Sequence, residues 1–350
     1  MICARGATET FREDHGDIRI WRLPARRRGG SAPRRIFEYV TFALMASVAV
    51  GLLWVRRRHQ LVYVLGMPNF LVLAPFIPRL FGANVLLDMR DPFPEFFLAK
   101  FETTKNHPIY KALLIEEKIS ARFASAVLTA VPSMADLYVR SVPRDRISVV
   151  WNSVDPQIFI ERPARPDPDD RTLLYVGTVT YPYGVDLAVR AVARLRHRVP
   201  GLRLRVVGDG DLLPMLTQIA REEGITDNVE ITPPVPLQGV PAVLSTAWLG
   251  VQPLRPSPLM EHSLSTKILE WCVVGLPVAV GRTPPLTHVF NEQDILFHEP
   301  GDLDGLCARI IEAHKDPEDL SRRVQRARVA ADAISFDKQI EAFIQIAEES

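Results

Sequence analysis

At 350 residues the chain is long enough for two domains, each with a full core. Hydrophobic residues make up 47% and charged residues 24%, an ordinary globular balance that excludes disorder as the default. A net charge of +1 excludes nucleic acid as a whole-protein partner. Cys3, Cys272 and Cys307 are isolated, with neither CxxC nor metal spacing, and suit a reducing cytosol.

In chain order, residues 1–4 read as the end of a buried strand, and residues 17–23 (DIRIWRL) alternate as a strand should. A basic loop with Arg26 to Arg28 then leads into residues 36–55, almost wholly apolar with only Glu38 charged. Arg34, Arg35 and Arg56 to Arg58 flank that stretch, whose length meets the ~20 residues a bilayer needs. A strand at 61–65 follows almost at once, the order of a crossover helix feeding a parallel sheet. The stretch is therefore read as a buried or membrane-leaning helix before a spanning one. Residues at the N-terminus lack the n-region and h-region of a signal peptide.

Residues 70–81 predict a helix interrupted by Pro75 and Pro78, and residues 85–88 a strand. Asp88, Arg90, Asp91 and Glu95 lie at or just beyond the end of that strand, where open α/β sheets place ligand groups. An Asp–Pro turn with an Arg pair is the structural alternative. A helix over 108–124, a strand over 126–129, a helix capped by Ser133 and a strand over 147–151 complete the first half. The turn Asn152-Ser153-Val154-Asp155 closes it, and the Pro-rich, charged segment 161–171 reads as a linker.

The pattern then restarts. Five predicted strands, at 173–176, 202–207, 229–231, 248–252 and 278–280, alternate with helices as in a doubly wound parallel sheet. Helices over 303–314, 317–331 and 336–349 end the chain. Gly177 and Gly208-Asp209-Gly210 follow strands and let backbone approach a ligand closely. The segment is neither GxGxxG nor a Walker motif. In residues 263–281, Ser265 and Thr266 are N-cap candidates, Gly275 can end the helix in the left-handed region, and Pro277 stops its return. Such a helix N-terminus suits a phosphate, with Lys267 and Glu270 in the first turn to meet a diphosphate and sugar hydroxyls. A capped helix with two ordinary surface charges is the competing reading.

Six phrases occur in order: LLDMRDPFPE, VLTAVPSMADLYV, VVWNSVD, LLYVGTVTYPYGVD, LRVVGDGDLLPML and SLSTKILEWCVVGLPVAV. On these the chain resembles the retaining glycosyltransferases of family 4, of GT-B fold, and in particular their polysaccharide-assembly branch. The resemblance implies an α/β architecture of two Rossmann-like doubly wound domains facing a cleft. Residues 1–158 would form the acceptor side, 159–335 the nucleotide-sugar domain, and 336–350 a helix crossing back. It implies transfer of a sugar from UDP-, GDP- or another nucleotide-diphosphate sugar to a glycan or lipid-linked acceptor, without metal or other cofactor. The setting would be cytoplasmic, peripheral at the inner face of a membrane.

By the same resemblance Gly177, Thr178, Gly208, Gly210, Val235, Leu264, Ser265, Thr266, Lys267 and Glu270 would bind the donor. Asp91, Arg90, Glu261 and His262 would stand at the catalytic centre. Glu270 matches the second glutamate of the family's E-x7-E motif; the first falls on His262, with Glu261 one place off. The usual cationic clamp falls on Thr178 and Tyr183, so Lys267, with Arg90, Arg255 or Arg282, would supply the charge. Relatives open with a further strand, glycine-rich loop and helix, so the first domain is expected to lack its first β–α unit. A nucleotide-sugar epimerase of the same fold and a non-catalytic remnant are the alternatives.

Overall fold

The structure is a computed structural model that describes residues 1–6, 9–24, 32–66, 68–101, 103–160, 170–258 and 260–349. The basic loop at Arg26 to Arg28 and most of the expected linker, 161–169, lie outside the described residues. The chain divides into two units, Met1–Val150 with Phe343–Ser350, and Trp151–Ala342.

The first unit opens with β1 (Ile2–Ala4), β2 (Arg12–His15) and β3 (Ile18–Leu23), a sheet in the order β1-β3-β2. β1 runs parallel and β2 antiparallel to β3. No hydrophobic pattern announces β2, whose sequence is REDH; Arg22 on β3 holds it through Glu13 at 2.7 Å. Helix α1 (Ala32–Arg57) follows and leads to β4 (Leu61–Leu65). The expected helix at 70–81 is broken by its prolines into a 3-10 turn, Asn69–Leu73, and a short α2 (Phe76–Leu80).

Then come β5 (Asn84–Asp88), α3 (Phe93–Phe101), α4 (Pro108–Phe123), β6 (Ala126–Thr129), α5 (Pro132–Tyr138) and β7 (Ile147–Val149). Ser133 does not cap α5: Pro132 opens the helix and Val131 occupies the cap position. Strands β4-β5-β6-β7 form a second, all-parallel sheet. The expectation of a buried crossover helix fails on one face of α1. Ile36, Phe37, Val40, Leu44, Val48, Leu52 and Val55 form an exposed apolar stripe, while Ala46 and Trp54 face inward.

The second unit holds β8 (Arg171–Val176), α6 (Val185–Leu195), β9 (Leu202–Val207), α7 (Leu213–Glu222), β10 (Val229–Thr232), α8 (Val240–Leu244) and β11 (Leu249–Gln252). It continues with α9 (Thr266–Val274), β12 (Val278–Gly281), α10 (Pro284–Val289), β13 (Leu296–His298), α11 (Leu303–Lys315) and α12 (Pro317–Asp332). Its sheet is parallel throughout in the order β10-β9-β8-β11-β12-β13. β13 is a sixth strand beyond the five expected; its Leu-Phe-His holds only two apolar residues. The near-continuous burial of β8 and β11 is that of strands covered on both faces. Helix α13 (Phe336–Glu349) ends the chain, and its Phe343, Ile346 and Ala347 pack on Leu86, Leu128 and Val150 in the first unit's core.

Candidate functional site

In the second unit the strand order reverses between β8 and β11, and ligands of open α/β sheets lie beyond the carboxyl ends of strands at such a point. Three segments converge there. Gly177 leaves β8 at φ 134°, and its N–H donates to the Val207 carbonyl at 2.9 Å, which ties the end of β8 to the end of β9. A Cβ on Gly208 would stand 1.9 Å from the Gly177 carbonyl oxygen, and one on Gly210 2.0 Å from that of Val179. Glycine is therefore a packing requirement at both positions. The third segment is the start of α9.

Ser265 takes the N-cap position of α9 with extended backbone, but its side chain makes no capping hydrogen bond. The opening N–H groups of the helix are thus left without a side-chain cap. Leu264, Ser265, Thr266 and Lys267 line a cavity of about 160 Å³ with Tyr183, Leu254 and Thr283. Gly275 ends the helix at φ 84°, and Leu276 donates to the Trp271 carbonyl at 2.8 Å. The N-terminal dipole end and the cavity coincide, an arrangement suited to an anion.

Lys267 is the cation of this site. Its Nζ lies 2.8 Å from where a Cβ on Gly177 would be, 3.3 Å from the Tyr175 hydroxyl, and 4.8 and 4.3 Å from the ring centroids of Tyr175 and Tyr183. The two rings hold the ammonium by cation–π attraction. Burial pushes the Lys267 ammonium down to about 8, with Glu270 opposing the shift. Burial raises the Glu270 carboxyl, and Lys267 opposes that in turn. Glu270 is not in the first turn, as expected from sequence, but in the second, three residues beyond Lys267 on the same face.

Two arginines named as charge donors are already engaged. Arg255 pairs with Asp186 at 2.5 Å and lies over the Tyr181 ring, and Arg282 pairs with Glu292 at 2.5 Å and Glu299 at 3.0 Å. Thr178 is exposed, and its carbonyl accepts from the Tyr175 hydroxyl at 2.5 Å. Val235 lies in the loop after β10. Glu261, exposed, and His262, half-buried, sit in the turn before α9.

Arg90 and Asp91 belong to the first unit. Arg90 Nε donates to both carboxylate oxygens of Asp88, at 2.7 and 2.9 Å, and Nη1 to the Val150 carbonyl at 3.0 Å. The Tyr63 hydroxyl also donates to Asp88, and burial followed by that bond raises the phenol. Asp91 is exposed just beyond β5. Glu95, a ligand-group candidate by sequence, is instead structural: Arg140 donates to it at 2.6 Å and to Glu117 at 2.6 Å. Among the described residues no three His, Cys, Asp or Glu stand together as a metal site.

Sequence reasoning missed Tyr175 as part of the site, and read Tyr183 only as a vacated clamp position. The available signal was two tyrosines flanking a strand-end glycine. Leu254 stands at φ 56°; its N–H donates to the Tyr183 carbonyl at 3.1 Å and its carbonyl accepts from Gly301 at 2.9 Å. Those bonds hold a conformation that costs a non-glycine residue about 1–2 kcal/mol.

Residues 157–330 match the family model described as glycosyl transferases group 1. A glycogen synthase of Mycobacterium tuberculosis is 28% identical over 183 residues, 52% of this chain and 43% of that protein. A GDP-mannose-dependent phosphatidylinositol monomannoside mannosyltransferase of Mycolicibacterium smegmatis is 33% identical over 102 residues, 29% and 27%. The chain thus spans less than half the length of either relative. Among solved structures, a sucrose-phosphate synthase of Thermosynechococcus elongatus superposes with a TM-score of 0.76 over 100% of this chain and 88% of that one, at 16% identity. HepE of Anabaena in complex with UDP does so with 0.69 over 89% and 82%, at 14% identity. These likenesses establish the fold as GT-B.

Proposed function

Because residues 157–330 belong to the glycosyl transferases group 1, we propose that the protein is a retaining glycosyltransferase of family 4. It moves a sugar from a nucleotide-diphosphate sugar to a glycan or lipid-linked acceptor in exopolysaccharide, capsule or cell-envelope assembly. The observation that carries this reading is the meeting of Gly177, Gly208 and the uncapped start of α9 around one buried lysine. The N–H groups at 264–267 and the Lys267 ammonium would hold the diphosphate, and Glu270 would accept from the ribose hydroxyls. Cleavage leaves negative charge on the departing phosphate, and a positive end fixed beforehand stabilises that charge in the transition state. The departing phosphate would assist deprotonation of the acceptor hydroxyl on the same face, which retains the anomeric configuration without a metal or other cofactor.

UDP in the HepE complex supports a nucleotide donor of this kind. The lipid-linked substrate class of the monomannoside mannosyltransferase supports an acceptor at a membrane. The exposed stripe of α1, with Arg34 at one end and Arg56 to Arg58 at the other, supports a cytoplasmic protein resting on an anionic leaflet. Titration of UDP- and GDP-sugars against the wild type and Glu270→Gln tests the donor site. Weaker binding in the variant is expected; equal affinity for every donor would remove Glu270 from the site. NMR of the bound donor without acceptor distinguishes an epimerase, which would invert a sugar carbon.

A further inference from the structure

The cavity at the start of α9 sets an amine nucleophile beside an anion site. Lys267 lines it with Leu264, Ser265 and Thr266. Among the described residues the Lys267 ammonium contacts a hydroxyl and two rings but forms no ion pair. We propose that this site reacts with acyl phosphates, which transfer their acyl group to Lys267 and so remove the charge that holds its anion. The proposal rests on the reading of the start of α9 as a phosphate cradle.

Two independent features prepare the cavity for a phosphate group. The opening N–H groups of α9 carry no side-chain cap. Thr283 lines the same cavity, is 4% exposed, and its hydroxyl has no hydrogen-bond partner among the described residues. A buried hydroxyl left unmatched is costly, and an occupant whose oxygen accepts from it recovers that loss. The cavity volume of about 160 Å³ is the share of roughly five water molecules, which suits a small phosphate compound and excludes a peptide.

The amine is held in place to react. The Tyr175 hydroxyl spends its proton on the Thr178 carbonyl at 2.5 Å, so its oxygen accepts from Lys267 at 3.3 Å. That bond and the two rings fix Nζ, which an exposed lysine would let swing through water. Burial pushes the ammonium down to about 8, so at pH 8 about half of Lys267 is neutral, against roughly one in 250 of an ordinary lysine. In the step, the nitrogen lone pair forms a C–N bond to the acyl carbon. The bond from that carbon to the phosphate oxygen breaks, and the phosphate leaves with the electron pair and the proton that the amine loses. The amide that remains is uncharged, and it attracts neither an anion nor the ring faces.

The test is to incubate the full chain with acetyl phosphate at pH 8 and locate the acetyl groups by peptide mass spectrometry. Lys267 is expected to react at least about tenfold faster than the exposed Lys111, Lys118 and Lys315. p-Nitrophenyl acetate, an acetyl donor without a phosphate, should show at least about tenfold less preference for Lys267. Inorganic phosphate should slow acetylation at Lys267 and leave the exposed lysines unaffected. Thr283→Val keeps the branched shape and removes the unmatched hydroxyl. It should slow the acetyl phosphate reaction at Lys267 about tenfold and leave the ester reaction unchanged. No preference for Lys267, an equal preference with the ester, no competition by phosphate, or an unchanged rate in folded Thr283→Val would overturn the inference. The reagent comparison and the competition are read on the wild type, so they decide the question even where the variant fails to fold. Titration of UDP against the unmodified chain reads the donor site separately. UDP binding without acetylation would sink this inference alone, and acetylation without UDP binding would sink the donor reading alone.

Discussion

The ammonium of Lys267 stands 4.3 Å from the centre of the Tyr183 ring and 3.3 Å from the Tyr175 hydroxyl. The site thus holds its own cation, while Arg255 and Arg282 are engaged with carboxylates. On the function proposed above, a diphosphate entering at the start of α9 would meet a charge already placed.

Replacing that charge should weaken donor binding far more than it disturbs folding. Lys267→Met is expected to lower nucleotide-sugar affinity about ten- to a hundredfold, the worth of a hydrogen bond to a charged group. Calorimetric titration checks it, with thermal unfolding as the control for fold.

Donor affinity should also depend on pH through this group. Lys267 loses its proton near 8 in the free protein, well below the usual lysine value, because burial disfavours its charge. The diphosphate prefers the protonated form, so affinity is expected to fall as pH rises through that value. Titrations at pH 7 and pH 9 read the slope, and Lys267→Met should flatten it.

The glycines at the strand ends make separable predictions. Gly208→Ala drives a methyl into the Gly177 carbonyl and should cost about 1–3 kcal/mol or more, together with nucleotide binding. Gly224, at φ 62° with nothing nearer than 4.0 Å, is a control: its alanine variant should cost about 1–2 kcal/mol and leave binding intact. Urea unfolding and nucleotide titration distinguish the two.

Arg140 serves the first unit's core. Its guanidinium joins Glu95 and Glu117, 8% and 1% exposed. Arg140→Met strands two carboxylates, and urea unfolding should show a loss of about 3–5 kcal/mol.

The exposed face of α1 predicts a membrane effect without a folding effect. Val48 and Leu52 are 64% and 60% exposed. Val48→Glu with Leu52→Glu should abolish co-sedimentation with phosphatidylserine vesicles and leave the melting temperature unchanged. Retained sedimentation would place the contact elsewhere.

Much of the architecture is legible along the chain because its causes are local. Apolar runs of four to six residues between glycine and proline read as strands of a parallel sheet. Gly275 and Pro277 mark the end of α9 through conformations that few other residues share. The short strands β2 and β13 escaped because REDH holds no apolar residue and Leu296-Phe297-His298 holds only two.

What tertiary structure alone decided is which partner each charged or aromatic side chain meets. Lys267 finds Tyr175 across 92 positions, and Arg140 finds Glu95 across 45. By sequence Glu95 and Lys267 are both candidates for ligand contact, Lys267 with the greater weight; burial beside an arginine made one structural, and burial between two rings left the other facing a cavity. The sequence by itself determined the alternation of strands and helices and the segments that end at the switch point. Hydrophobic period and backbone preference act over a few residues, whereas ion pairs and ring contacts exist only once distant segments are packed together.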